Sequence, residues 1–286
     1  MEIKLLDKKD FPPLLSEIND PPEKLYIEGK IPDWNQKFLA VVGSRKYTNY
    51  GREVCESLIE GLAGFPITIV SGLALGIDGI AHRSALKAGL ATIAIPGSGL
   101  GEKVLYPSSH RTLAKSIVES GGCLISEFES DFGATVWSFP RRNRIMAGMS
   151  HAVLVIEAEE KSGTLITSKL ATEYNRDVLT VPGSIFSSAS KGPHMLIRLG
   201  ATPIRSSEDI LEVFGLKNDS AEKDNSKKYS DCSPEEMKII ELLNSPQERD
   251  FLAESLNLKT SELSSLLSLL EIKGLIKESG GEIHLT

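Results

Sequence analysis

From residue 38 the chain repeats one grammar: a short apolar or β-branched run, a glycine turn, then an amphipathic helical stretch. The runs are FLAVVG (38–43), ITIVSG (67–72), ATIAIPG (91–97), CLISE (123–127), AVLVIEA (152–158) and DVLTVPG (177–183). Helical stretches fall between or after them at 49–62, 76–88, 109–120, 163–175 and 193–199. Strands that are apolar at nearly every position, rather than at alternate ones, are buried on both faces. Alternated with helices, they predict an α/β fold: an extended Rossmann-like, doubly wound and mostly parallel sheet. Twenty-four glycines beside 6% aromatics suit such a turn-rich layer better than an aromatic-rich β sandwich.

The segment ahead of this region (1–36) carries Pro12, Pro13, Pro21, Pro22 and Pro32 and reads as a short strap on a sheet domain of 37–215. Residues 216–231 are polar and charged, the composition of a flexible linker. Beyond it, 232–286 hold helical stretches from Pro234, from about Gln247 and over 260–273, then two short strands about Gly280-Gly281. Three helices and a hairpin predict a small winged-helix domain. The longest charge-free stretch, Gly61 to Ile77, is too short for a bilayer and is broken by Pro66. Cys55, Cys123 and Cys232 are odd in number and far apart, which fits a reducing compartment. With no secretory core at the start, the expected location is cytoplasmic, without a membrane partner.

A formal charge of −7 argues at first against a nucleic-acid partner, but 9 basic and 14 acidic residues lie from Leu216 onward. The front part is therefore close to neutral, and its acids are clumped. Lys37, Arg45, Lys46 and Arg52 are the only charges between Asp33 and Glu53, as are Arg141, Arg142 and Arg144 between Asp131 and Glu157. Such windows either build a basic face or are buried elements where acids are scarce anyway.

Ligands of an open parallel sheet bind at the carboxyl ends of its strands. Small residues gather at those ends: Gly43-Ser44-Arg45, Ser71-Gly72 to Gly76, Gly97-Ser98-Gly99, Ser162-Gly163-Thr164 and Pro182-Gly183-Ser184. Glycine backbones and hydroxyls in that setting suit phosphate oxygens. Neither the G-x-G-x-x-G nor the Walker pattern is present, and no His/Cys spacing suits a metal, so no cofactor and no metal are expected. Phe139, Arg141, Arg142, Asn143 and Arg144 combine forked donors with an aromatic, a pairing found in single-strand binders, and Trp137 is adjacent. The alternative is a surface helix with solvated arginines and both aromatics in the core. Asp78 and His82, four apart on one helix face, form either an acid–base pair or a structural one. No nucleophile has an evident base.

Taken in order, VVGSR (41–45), SGLALGIDGIAH (71–82), PGSGL (96–100) with YP (106–107), SE (126–127), FPRRNRIMAGMSHAVLVIEA (139–158), SGTLIT (162–167) and VPG (181–183) resemble the DNA-processing protein family called DprA or Smf. The resemblance runs from about Tyr26 to Phe214, and the C-terminal piece is similar to that family's winged helix. It implies a dimeric, non-enzymatic protein that binds single-stranded DNA and loads the RecA recombinase during natural transformation. Carried onto this sequence, the family's DNA-binding segments fall on Gly43, Ser44 and Arg45 and on Arg141, Arg142, Asn143 and Arg144, with glycine turns at Gly72, Gly76, Gly97 and Gly99. Enzymes of the same broad fold that cleave nucleotide monophosphates carry a glutamate where Thr167 stands here, which favours binding over hydrolysis. The winged helix, with 5 basic and 10 acidic residues from Ser233 on, is expected to contact protein rather than duplex DNA.

Overall fold

A computed structural model describes residues 2–30, 33–216, 231–243, 247–279 and 281–285, so the expected linker lies almost wholly outside the described residues. The chain divides into two compact units, Met1–Lys217 and Asn218–Thr286.

The first unit is built on nine strands: β1 (Lys4–Leu5), β2 (Tyr26–Gly29), β3 (Lys37–Val42), β4 (Ile67–Ser71), β5 (Thr92–Ala94), β6 (Cys123–Ser126), β7 (Ala152–Val155), β8 (Asp177–Thr180) and β9 (Thr202–Pro203). Their spatial order is β1-β2-β6-β5-β4-β3-β7-β8-β9. Pairing is parallel from β6 to β9, and the β1–β2 and β2–β6 pairings at one edge are antiparallel, so β2 is the reversed strand. The parallel part starts in the middle at β3, winds outward to β6, and returns to place β7 on the other side of β3. The strand order therefore reverses between β3 and β7.

Helices α1 (Pro13–Ser16), α2 (Asn49–Glu60), α3 (Ile77–Lys87), α4 (Arg111–Glu119), α5 (Ser138–Met149), α6 (Thr164–Glu173), α7 (Lys191–Arg198) and α8 (Ser207–Val213) accompany the sheet. Successive strand side chains alternate between its faces. Phe38, Ala40 and Val42 of β3 join a core with Ile145 and Met149 of α5, while Leu39 and Val41 join another with Leu58 of α2 and Ile80 of α3. A strand that must satisfy two apolar layers has no polar position to spare, which is why the run reads as continuous.

The N-terminal segment is laid along the sheet edge and one face of the core. Strand β2 pairs with β6, placing Ile27 opposite Ile125, and β1 extends the sheet beyond it. Leu6, Phe11, Leu15, Ile18 and Leu25 are buried in the same core as Phe38. Leu15 and Ile18 pack on α5 at Gly148, where a Cβ would lie 2.9 Å from Leu15 Cδ1. The segment 1–36 is thus packed on the sheet domain. Prolines interrupt local elements without preventing the segment from covering a sheet edge and a helix.

In the second unit, α9 (Pro234–Leu242) starts from a capping box in which Ser233 and Glu236 satisfy each other's backbone amides. It is followed by β10 (Gln247–Glu248), α10 (Arg249–Leu256), α11 (Thr260–Ile272), β11 (Ile276–Ser279) and β12 (Glu282–Leu285). The three strands form an antiparallel sheet in the order β10-β12-β11. Ile239, Leu252, Leu263, Leu267, Leu270, Ile276 and Ile283 form its own core. Among the described residues, no helix is long and apolar enough to cross a membrane, and no His/Cys/Asp/Glu group is placed to hold a metal.

Candidate functional site

The reversal between β3 and β7 opens a crevice at the carboxyl ends of the strands, where doubly wound sheets bind ligands. A cleft of about 530 Å³ occupies it, lined among others by Gly43, Ser44, Arg45, Lys46, Phe139, Asn143, Ser162, Gly163 and Thr164. Two loops and the start of α5 form its walls.

The first loop, 43–48, leaves β3 and enters α2. Thr48 caps that helix by accepting from the Gly51 amide at 3.1 Å. Its own amide and hydroxyl donate to the two oxygens of Glu157, at 2.9 and 2.5 Å. Glu157 is buried just past β7, so the loop is bolted to the neighbouring strand. The Ser44 hydroxyl accepts from the Lys46 amide (3.0 Å) and donates to the Lys46 carbonyl (2.8 Å). Its proton is engaged within the loop, and the loop exposes Arg45, Lys46 and Tyr47. Arg45 lies over the Phe139 ring, 5.3 Å from its centroid. The second loop, 159–163, leads into α6. Thr164 ties it back by donating to the Gly43 carbonyl at 3.1 Å.

The start of α5 is positioned by Ser138, whose buried hydroxyl donates to the Gly97 carbonyl at 2.5 Å and accepts from the Thr135 amide at 3.0 Å. This sets Phe139 against Gly97, where a Cβ would lie 2.5 Å from the ring. Only the first turn of α5 is open. Arg142 is 4% exposed and donates to the carbonyls of Gly72 and Ile95 and to Asn143 Oδ1. Burial draws its pKa down to about 10, against the opposing pull of Asp78. Arg144 is also buried and reaches Glu127 at 2.5 Å and the Asp20 carbonyl at 2.6 Å. Arg141, half-exposed, contacts Glu127 at 3.0 Å and lies over Trp137. The arginine run is therefore neither an open fork of donors nor a solvated surface helix. Two of its three guanidinia hold the protein together, satisfied by groups remote in sequence.

The predicted residues thus separate. Gly43, Ser44, Arg45, Phe139, Arg142, Asn143, Ser162, Gly163 and Thr164 meet at the cleft; Arg141 and Arg144 line an adjoining depression with Asp20, Lys24, Glu127 and Tyr174. Gly97 and Gly99 do not line the cleft. A Cβ on Gly99 would collide with the Glu129 carbonyl, and one on Gly72 with Arg142, so these glycines admit protein atoms. Asp78 and His82 are not partners. Asp78 accepts from the amides of Gly72 (3.1 Å) and Ala74 (3.4 Å), bracing the turn before α3. His82 contacts Thr92 Oγ1 at 2.8 Å, and since Thr92 donates its proton to the Ile69 carbonyl, the imidazole is the donor. Burial holds its pKa down, at about 3. Thr167 is buried in the cleft wall. Lys46 and the exposed Tyr106 escaped the sequence expectations; adjacency to Arg45 was the signal for the first, and the YP pair for the second.

Residues 2–215 match the family model described as DNA recombination-mediator protein A. The chain is 44% identical over 212 residues to protein Smf of Escherichia coli, covering 73% of this chain but 56% of that protein. It is 37% identical over 214 residues to DNA processing protein DprA of Bacillus subtilis, covering 74% and 71%. The X-ray structure of DNA processing protein A from Streptococcus pneumoniae is similar with a TM-score of 0.69 at 38% identity, covering 74% of each chain. DNA processing protein A of Helicobacter pylori, whose structure is reported for its single-stranded DNA binding mode, gives a TM-score of 0.65 at 29% identity, covering 74% of this chain and 95% of that one.

Proposed function

The chain belongs to the DNA recombination-mediator protein A family, and from that premise we propose that its cleft holds the backbone of single-stranded DNA. The observation that carries this reading is the Arg45–Lys46 loop. Two exposed cations stand at the mouth of a crevice at the switch point, beside the Gly163 amide and the Ser162 hydroxyl. Phosphates would meet Arg45 and Lys46, and a base would meet Phe139. The Helicobacter relative's single-strand binding supports the same use here. A binding role without hydrolysis is supported by Thr167, which stands in the cleft wall at the position where nucleotide-cleaving enzymes of similar fold carry a glutamate, while Asp78 in the same wall is engaged by the Gly72 and Ala74 amides.

Loading of the RecA recombinase is the role we assign to the assembled complex, supported by the family's description as a recombination mediator. Dimer formation is supported by Met195 and Leu199, one turn apart at α7, and by Ile185 and Phe186, all exposed and apolar. The second unit we read as a winged helix with a protein-contact role. Lys273, at the end of α11, is engaged by both Glu236 oxygens at 2.8 Å, so this cation is not free for a DNA groove.

Anisotropy of a labelled oligo-dT, titrated at two salt concentrations, tests the cleft. Arg45→Ala should weaken binding to every sequence alike and reduce the salt slope by about 0.7, the loss of one phosphate contact on a single strand. Lys46→Ala should do the same. Unchanged affinity in both variants removes the site. Displacement by a mononucleotide, with weak strand binding, would instead make the cleft a small-nucleotide site.

A further inference from the structure

The connection from β5 to α4 carries Tyr106 between two buried neighbours, Leu105 and Pro107. The Tyr106 amide donates to Ser98 Oγ at 3.2 Å, so its backbone is fixed. The residue is nonetheless 45% exposed. The ring lies 5.7 Å from that of Phe139, tilted by 57°. Beside it is a shallow notch lined by Arg45, Ala74, Leu75, Tyr106 and Phe139, with Leu75 also nearly half exposed. Arg45, Ala74 and Phe139 line both this notch and the cleft, so the two adjoin across the Arg45–Phe139 contact.

An open aromatic on a held backbone beside the cleft suits a nucleobase. Every base has a π face, so stacking tolerates any sequence, while bases in a duplex already have their faces covered by neighbours. We propose that Tyr106 is a base-stacking platform that extends the single strand out of the cleft and over the carboxyl end of β5, with Arg45 holding the phosphate between the two subsites. This rests on the cleft being a single-strand site, and it adds a second stacked base next to Phe139.

The test is oligo-dT binding by the full chain carrying Tyr106→Ala, Tyr106→Leu or Tyr106→Phe. Loss of one stacked base should weaken the Ala variant by roughly 5- to 150-fold, and the Leu variant comparably, while Phe stays within about twofold of the parent. The salt slope should not change in any of them, because no phosphate contact is lost. A single 2-aminopurine moved along the oligonucleotide should be quenched at one position by the parent and by Tyr106→Phe, but not by Tyr106→Ala. If Ala and Leu variants bind like the parent while Arg45→Ala is weakened, the platform is wrong and the cleft stands. If the parent itself does not bind oligo-dT, both fall.

Discussion

Arg45 and Arg142 carry the same guanidinium and sit in equally acid-free stretches of sequence, yet they do opposite work. Arg45 is exposed on a loop that a buried Glu157 braces from the side. Arg142 closes the ends of β4 and β5 by donating to the Gly72 and Ile95 carbonyls, the latter at 2.5 Å, with Asp78 nearby. Removing it leaves those carbonyls without their donor and takes away the cation that offsets buried Asp78. Arg142→Ala should therefore lower stability to urea by about 3–5 kcal/mol. Arg45→Ala should leave the unfolding midpoint where it is. An Arg142→Ala protein with parental stability would contradict the structural role. Arg144 makes the same point: no acid lies near it in sequence, but Glu127 lies against it across the fold. Guanidinium chemistry was legible from the residue type. Which arginine faces solvent was not, because that depends on partners brought from distant parts of the chain.

At the scale of elements, the glycine turns divide by what lies opposite them. A Cβ on Gly43 would fall 2.6 Å from Ile77 Cγ1, at the start of α3. A Cβ on Gly163 would meet nothing within 4 Å, and its backbone is already right-handed at φ −60°. Gly43→Ala should push α3 from the sheet and cost about 1–3 kcal/mol by overpacking, whereas Gly163→Ala should stay within ~0.5 kcal/mol of the parent. Urea midpoints check both, and equal midpoints would refute the distinction. Helix α5 shows the matching limit of periodicity. Residues 142–149 are all buried, since α1 and α6 also cover it, so no polar stripe marks its inner face. The strands were easier to place, because burial on both faces leaves an uninterrupted apolar run.

Across the whole molecule, the two units have separate apolar cores, and every residue that lines the cleft belongs to the first. A chain ending at Leu216 should keep its oligo-dT affinity within about twofold, since removing a net negative unit takes away no phosphate contact. Loss of binding on truncation, measured by the same anisotropy titration, would place part of the site in the second unit. The sequence by itself determined the parallel α/β layer, the central strands β3 to β8 in their order along the chain, and the 43–45 and 162–164 turns that line the cleft. Apolar period and glycine position act locally, within one element and its turn, so one chain suffices to read them. Only the tertiary structure decided that the N-terminal segment completes the sheet, that Arg142 and Arg144 are internal, and that Tyr106 stands beside Phe139. Each of those outcomes depends on which distant groups come within a few ångströms of one another, and exposure and ion pairing follow from that proximity rather than from residue type.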